Sequence, residues 1–267
     1  YIVMYKYAVF DLDETIGCFM ELGILWDSLS SILGAEQDQN TFNKLCDLYP
    51  GVFRPNIFTV FSYLKHVKSR NNKVKVIIYT NNMGPKSWTT MIKNYIEHRL
   101  NAPGLFDDII CAYKIGNQII EPGRRSHNKT IADLRRCTKA TNDSTFIFID
   151  DVLHEGMLDD SVTYLYIKPY VYHLKHSKII NSFIKSDLGR TCIGDRDVRI
   201  FKADLMREMN ARKFTVAGIT SRKHRVDKIV TKQILVNLEG FFNINVPKRL
   251  TRKRRKQNKH NTSKKNY

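Results

Sequence analysis

The chain is short of the features that mark secreted, membrane-spanning or cysteine-stapled proteins. It has five cysteines in 267 residues (Cys18, Cys46, Cys111, Cys137 and Cys192), an odd number without a CxxC pair. That speaks against a disulfide framework and against a cysteine-based zinc site, and for isolated thiols in a reducing compartment. No apolar run approaches the ~20 residues of a membrane-spanning helix. The apolar stretch 1–10 runs into Asp11 without a small-residue cleavage site, so it reads as a first strand, not as a signal peptide. Acidic residues are also scarce, 26 against 44 Lys+Arg, for a formal net charge of +18. The shortage is local. Residues 247–267 carry ten bases and no acid, and 186–246 carry twelve bases against seven acids. Residues 1–185 are nearly balanced, with 22 bases against 19 acids. Partners selected by charge should therefore meet the C-terminal third.

What the chain does have is enough apolar material to fold. Hydrophobic residues make up 42% and aromatics 11%, which excludes wholesale disorder. Short runs rich in β-branched and aromatic residues at 5–10, 74–79, 109–112, 145–149 and 163–167 read as buried parallel strands. Between them, 56–68 and 86–100 place apolar residues at helical spacing, and 129–137 predicts a shorter helix opened by Lys129. The stretch 21–49 reads as mostly helical, with Leu22, Leu25, Leu29 and Leu33 as its apolar set. Helices are also predicted over 173–185 and 198–213, while 229–238 is too short an apolar run to assign. Alternation of this kind predicts an α/β domain with a mostly parallel sheet over 1–185. A basic, folded extension covers 186–246, and a disordered basic tail covers 247–267.

In open parallel sheets the chemistry lies beyond the carboxyl ends of the strands. The first strand exits into Asp11-Leu12-Asp13-Glu14-Thr15, the second into Thr80-Asn81-Asn82 and the fourth into Asp150-Asp151. A lone acid at a strand end is usually a cap or solvated. Acidic pairs at two strand ends repel each other unless a cation intervenes, and hard carboxylate oxygens suit Mg2+. Lys129, about twenty residues before the second pair, supplies a cation; Lys114, Arg124 and Arg125 compete for that place.

These segments together resemble the four motifs of the haloacid dehalogenase superfamily: Asp11-Leu12-Asp13-Glu14-Thr15, Val76 to Asn81, Lys129, and Phe148 to Asp151. The Asp-Leu-Asp-Glu-Thr wording, with Phe53-Arg54-Pro55 ahead of the second motif and Ile149-Asp150-Asp151, is similar to the CTD-phosphatase-like (NLI-interacting-factor-like) group. The likeness covers about residues 4–170. It departs at Val152-Leu153-His154, where that group usually has Ser-Pro, and at the two asparagines after Thr80. The resemblance implies a Rossmann-like fold and a Mg2+-dependent phosphatase. Asp11 would be the nucleophile and a metal ligand, and Asp13 the general acid, with its backbone carbonyl on the metal. Thr80 and Lys129 would hold the phosphoryl group. Asp150 or Asp151, the latter by preference, would complete the metal shell.

The stretches between motifs leave no room for a full cap domain, which suits phosphoserine or phosphothreonine in a protein. A small lid made by 21–49 over a small substrate is the competing expectation. The basic run Lys248–Lys256 reads as a nuclear signal, a nucleic-acid patch or a solubilising tail. An intracellular, nuclear or cytoplasmic protein is expected, with a phosphoprotein substrate, no membrane, and a nucleic acid or acidic partner as a further possibility. A nucleic-acid 3′-end phosphatase and a non-catalytic binding protein on the same fold are the alternative functions.

Overall fold

The computed structural model describes residues 4–34, 37–212 and 221–243. At its centre lies a five-stranded parallel sheet in the order β3-β2-β1-β6-β7. The strands are β1 (Lys6–Phe10), β2 (Val74–Tyr79), β3 (Asp108–Ile110), β6 (Thr145–Asp150) and β7 (Val162–Tyr166). The five runs read from the sequence fall on them within two residues. A two-stranded hairpin, β4 (Lys114–Ile115) and β5 (Gln118–Ile119), stands apart from the sheet. Its turn places Gly116 at φ +57, where a Cβ would be strained.

Successive side chains point to opposite faces, so each central strand feeds two cores. Ala8, Phe10, Val76, Ile78, Ile147 and Ile149 enter the larger one. Tyr7, Val9, Ile77, Tyr79, Phe146 and Phe148 enter the smaller one. The larger face is covered by α1 (Met20–Leu33), α2 (Gln39–Leu48), α3 (Ile57–Arg70), α4 (Lys86–Arg99) and the C-terminal helices. Over the smaller face lies α5 (Ile131–Thr138), which buries Leu134. The expected helix 129–137 starts later than read. Thr130 is its N-cap, with Oγ1 accepting Asp133 N–H at 3.1 Å, so Lys129 precedes the helix and does not open it.

The helices α6 (His176–Lys185), α7 (Asp187–Ile193), α8 (Val198–Ala211) and α9 (Ser221–Phe242) complete the described chain. The unassigned run 229–238 is helical. Val230, Ile234 and Leu238 recur every fourth residue and are buried, which is the helical period. Ile193, Phe201, Leu205, Ile234 and Leu238 join the same core as β1. The basic stretch after residue 186 is thus packed against the sheet domain wherever it is described. Residues 247–267, with the basic run Lys248–Lys256, lie outside the described residues. No described helix is long and apolar enough to cross a membrane.

Chain direction fixes where a crevice opens. The chain moves outward from β1 through β2 to β3, then returns to the other side of β1 for β6 and β7. The order reverses beside β1, and its carboxyl end is the switch point at which such sheets bind ligands.

Candidate active site

The register brings three strand exits together. Phe10 pairs with Ile78 on one side and Ile149 on the other, so Asp11 and Asp150 each follow a paired position on neighbouring strands. Asp11 N–H donates to Ile149 O at 2.9 Å, and Thr80 N–H to Ile110 O at 2.9 Å. The resulting pocket, about 400 Å3, is lined by Asp11, Asp13, Thr80, Lys129, Asp150 and Asp151, among others. Oxygens of Asp11, Asp150 and Asp151 lie within 4.8 Å of one another.

Lys129 sits among these acids. Its Nζ is 2.5 Å from Asp11 Oδ1 and 2.7 Å from Asp150 Oδ2. Its ammonium also lies over the rings of Tyr79 and Phe148, on the α5 face of the sheet. Of the four candidate cations in this part of the sequence, Lys129 is the one that reaches the carboxylates. Arg125 is exposed, Lys114 is on the hairpin and Arg124 turns to carbonyl oxygens. Asp13 stands apart from the three-acid cluster: its carboxylate accepts Asn82 Nδ2 at 2.7 Å. Asn82 N–H in turn donates to Thr80 Oγ1 at 3.0 Å, which leaves that hydroxyl its own proton for another acceptor.

The electrostatics follow from burial and the charge count. Burial pushes Asp11 up to about 8; Lys129 opposes the shift and Asp150 reinforces it. Asp11 and Asp150 share the one ammonium and Asp151 lies close to both, so crowded like charge disfavours ionising all three. Asp150 also pays a burial penalty, yet it lies below its ordinary range because His154, Lys129 and Val152 N–H donate to it. Burial raises Asp13 against the opposing Asn82 hydrogen bond, and raises Asp151 against that of Thr15. Lys129 lies above its ordinary value: Asp11 and Asp150 outweigh the loss of solvent.

Comparison with protein-family models, curated proteins and solved structures returned no match.

Several supporting residues were not singled out for these roles by the sequence. Thr15 Oγ1 donates to Asp151 Oδ1 at 2.9 Å, and His154 Nε2 lies 3.4 Å from Asp150 Oδ2. Arg54, almost fully buried, donates to the carbonyls of Thr15 (2.6 Å), Glu14 (2.5 Å) and Lys168 (3.0 Å). It ties the loop after β1 to the loop after β7. That first loop is tight, with Glu14 at φ +59 and its N–H bonded to Gly17 O. A Cβ on Gly17 would meet Val52 O at 2.5 Å, so only glycine fits there. Arg54→Met takes a donor from three carbonyls, of which Glu14 O keeps Tyr170 N–H, and should cost about 2–3 kcal/mol. Chemical denaturation measures it, and a change within error would show that the loop holds itself.

A second cleft, about 740 Å3, shares Asp13, Glu14 and Asn82 with the carboxylate pocket. It runs between α1 and the start of α4, over Trp26, Trp88 and Met91. Among the described residues, α1 and α2 contribute nothing to the carboxylate pocket itself. Of the two, α1 lines the adjoining cleft. His173 bonds to Glu21, and His176 Nδ1 to Asn210 Oδ1 at 2.9 Å.

Proposed function

We propose that the protein is a Mg2+-dependent phosphatase of the haloacid dehalogenase type, acting on phosphoserine or phosphothreonine in proteins. One observation carries this: Asp11, at the exit of the central strand, shares a single pocket with Lys129, Thr80, Asp13 and the Asp150-Asp151 pair. Phosphoryl transfer asks chiefly for positioning and charge neutralisation, and this pocket offers both.

The metal fits the donor set, because Asp11, Asp150 and Asp151 are hard oxygen ligands gathered within 4.8 Å. Bound there, Mg2+ would neutralise charge between Asp11 and the phosphoryl group. The chain's own residues do the rest. Asp11 attacks phosphorus and forms an aspartyl-phosphate as the phosphorus–oxygen bond to the leaving group breaks. Asp13, raised by burial, holds a proton to give to that leaving alkoxide, and afterwards takes one from the attacking water. Asn82 fixes the Asp13 carboxyl for both steps. Thr80 and Lys129 grip the phosphoryl oxygens.

An uncapped pocket opening onto an apolar cleft supports a substrate with a body, such as a protein segment. The charged lining of that cleft is Asp13, Glu14 and Asp27 against Arg212. That balance does not suit a polynucleotide backbone, which binds through many cations. The nucleic-acid reading rests on the basic C-terminal third and its run Lys248–Lys256, which lies outside the described residues. A panel of phosphopeptides and 3′-phosphorylated oligonucleotides decides between them. Release of phosphate from phosphopeptides, lost with EDTA, is expected; preference for the oligonucleotide would reassign the substrate.

Asp11 gives the metal requirement a pH dependence. Its proton must leave before it can bind a cation, and its carboxyl titrates near 8. Apparent Mg2+ affinity should therefore rise with pH up to about 8 and level off above it. Titrating Mg2+ against melting temperature at several pH values tests this, and affinity independent of pH between 6 and 8 would refute it.

A further inference from the structure

Arg124 is almost fully buried, yet it does not face the acids. Its Nη1 donates to Cys111 O at 2.7 Å and to Thr80 O at 3.2 Å. Its Nη2 donates to Asn81 Oδ1 at 2.8 Å and to His127 O at 2.9 Å. The guanidinium also lies over the Tyr79 ring, 4.9 Å from its centroid. One planar group thus joins three segments: the exit of β2 with Thr80 and Asn81, the exit of β3 with Cys111, and the loop that reaches Lys129 two residues after His127.

The arrangement is costly if stability alone is its purpose. All four acceptors are neutral oxygens, and Nε is buried without a hydrogen-bond partner among the described residues. A buried cation on neutral oxygens pays for desolvation without a paired charge in return. Its fork matches geometry instead: only a guanidinium spans four acceptors in one plane, and an ammonium cannot.

The segments it joins hold the two groups assigned to the phosphoryl oxygens, Thr80 and Lys129. Its bonds do not include the residues that gather the metal, since Asp11 follows β1 and Asp150 and Asp151 belong to the exit of β6. We infer that Arg124 is a positioning residue that sets the separation of Thr80 from Lys129 and so fixes the phosphoryl-gripping half of the site. The inference rests on the phosphatase reading above.

The two halves of the site make the test selective. Orthophosphate binding and Mg2+ binding are measured by calorimetry on wild type, Arg124→Met and Arg124→Lys, below each protein's melting temperature. In Arg124→Met the orthophosphate dissociation constant should rise about tenfold and kcat/KM should fall roughly a hundredfold, the size expected for misplaced groups. The Mg2+ dissociation constant should change much less than the orthophosphate constant, because Asp11, Asp150 and Asp151 are held by β1 and β6 and meet Arg124 only through Lys129. Arg124→Lys, which keeps the charge and loses the fork, should recover only part of the loss. Asn81→Ala removes one of the four acceptors and carries the same test if Arg124→Met does not fold; a smaller rise in the orthophosphate constant is expected.

Unchanged orthophosphate binding in these variants would overturn the inference and leave the phosphatase reading intact. Parallel loss of orthophosphate and Mg2+ binding would also overturn it, as a general collapse of the site. Full recovery by Arg124→Lys would show that charge and not positioning is what matters. Wild type that neither binds orthophosphate nor releases phosphate from any ester would fail the phosphatase reading, and the inference with it.

Discussion

Asp11→Asn should abolish phosphate release, by roughly a thousandfold or more, while leaving the protein as stable as wild type or more so. Asparagine keeps the shape of the side chain but has no carboxylate to attack phosphorus. The stability half follows from the charge count. The pocket sets Asp11 and Asp150 on one lysine with Asp151 close beside them, and burial lifts Asp11 from its ordinary 3.8 to about 8. A carboxyl with a raised folded-state value favours the fold in its protonated form, and that contribution is lost as pH rises from about 4 to about 8. A neutral amide is spared the loss. The melting temperature of Asp11→Asn relative to wild type should therefore climb between pH 5 and pH 8 when measured with EDTA. Phosphate release and thermal melts check both halves. Full activity in the variant would sink the mechanism, and a gap in melting temperature that narrows with pH would sink the electrostatic account. Asp13→Asn serves as the comparison: loss of a general acid alone should cost about 10²–10⁴ in rate.

The sheet was legible because parallel strands buried on both faces appear as continuous apolar runs. β1 and β2 are such runs, and their ends carry Asp11, Asp13 and Thr80 in plain view. The helix boundary at Lys129 was less legible. A lysine beside a threonine cap looks like a helix start, and only Thr130 Oγ1 accepting Asp133 N–H moves it outside the helix. The motif resemblance pointed to Lys129 but left Lys114, Arg124 and Arg125 as competitors, since separating them depends on which side chain meets acids and which meets carbonyls. Arg54 stood in the sequence as part of a motif resemblance, but its partners are main-chain oxygens, which leave no mark on composition. Asn82 looked like a departure from a family pattern. In the fold it holds Asp13 at 2.7 Å. The run 229–238 was ambiguous because an apolar stretch of that length fits either period until it is known which residues are buried, and burial of Val230, Ile234 and Leu238 marks the helical period.

The largest effect on stability should come from Lys129→Met. Methionine fills a similar volume and keeps the apolar stem between Tyr79 and Phe148, so packing is largely retained. What disappears is the ammonium 2.5 Å from Asp11 and 2.7 Å from Asp150. Breaking a buried ion pair by removing one partner costs about 3–5 kcal/mol, because the remaining charge is left buried and uncompensated. For a chain of this size that is a fall of roughly 10 °C in melting temperature. Two conditions should return part of it. Lower pH protonates the stranded carboxyls, so the deficit should shrink from pH 8 towards pH 5. A divalent cation replaces the missing positive charge among oxygens that already lie within 4.8 Å of one another, so Mg2+ should raise the variant's melting temperature more than the wild type's. Activity should not return with it, because the metal cannot also take the place of Lys129 on the phosphoryl oxygens. Thermal melts in EDTA and in Mg2+, at both pH values, separate these effects. Equal melting temperatures for variant and wild type in EDTA at pH 8 would show that Lys129 does not hold the acids together, and a variant indifferent to Mg2+ would remove the case for a metal among them.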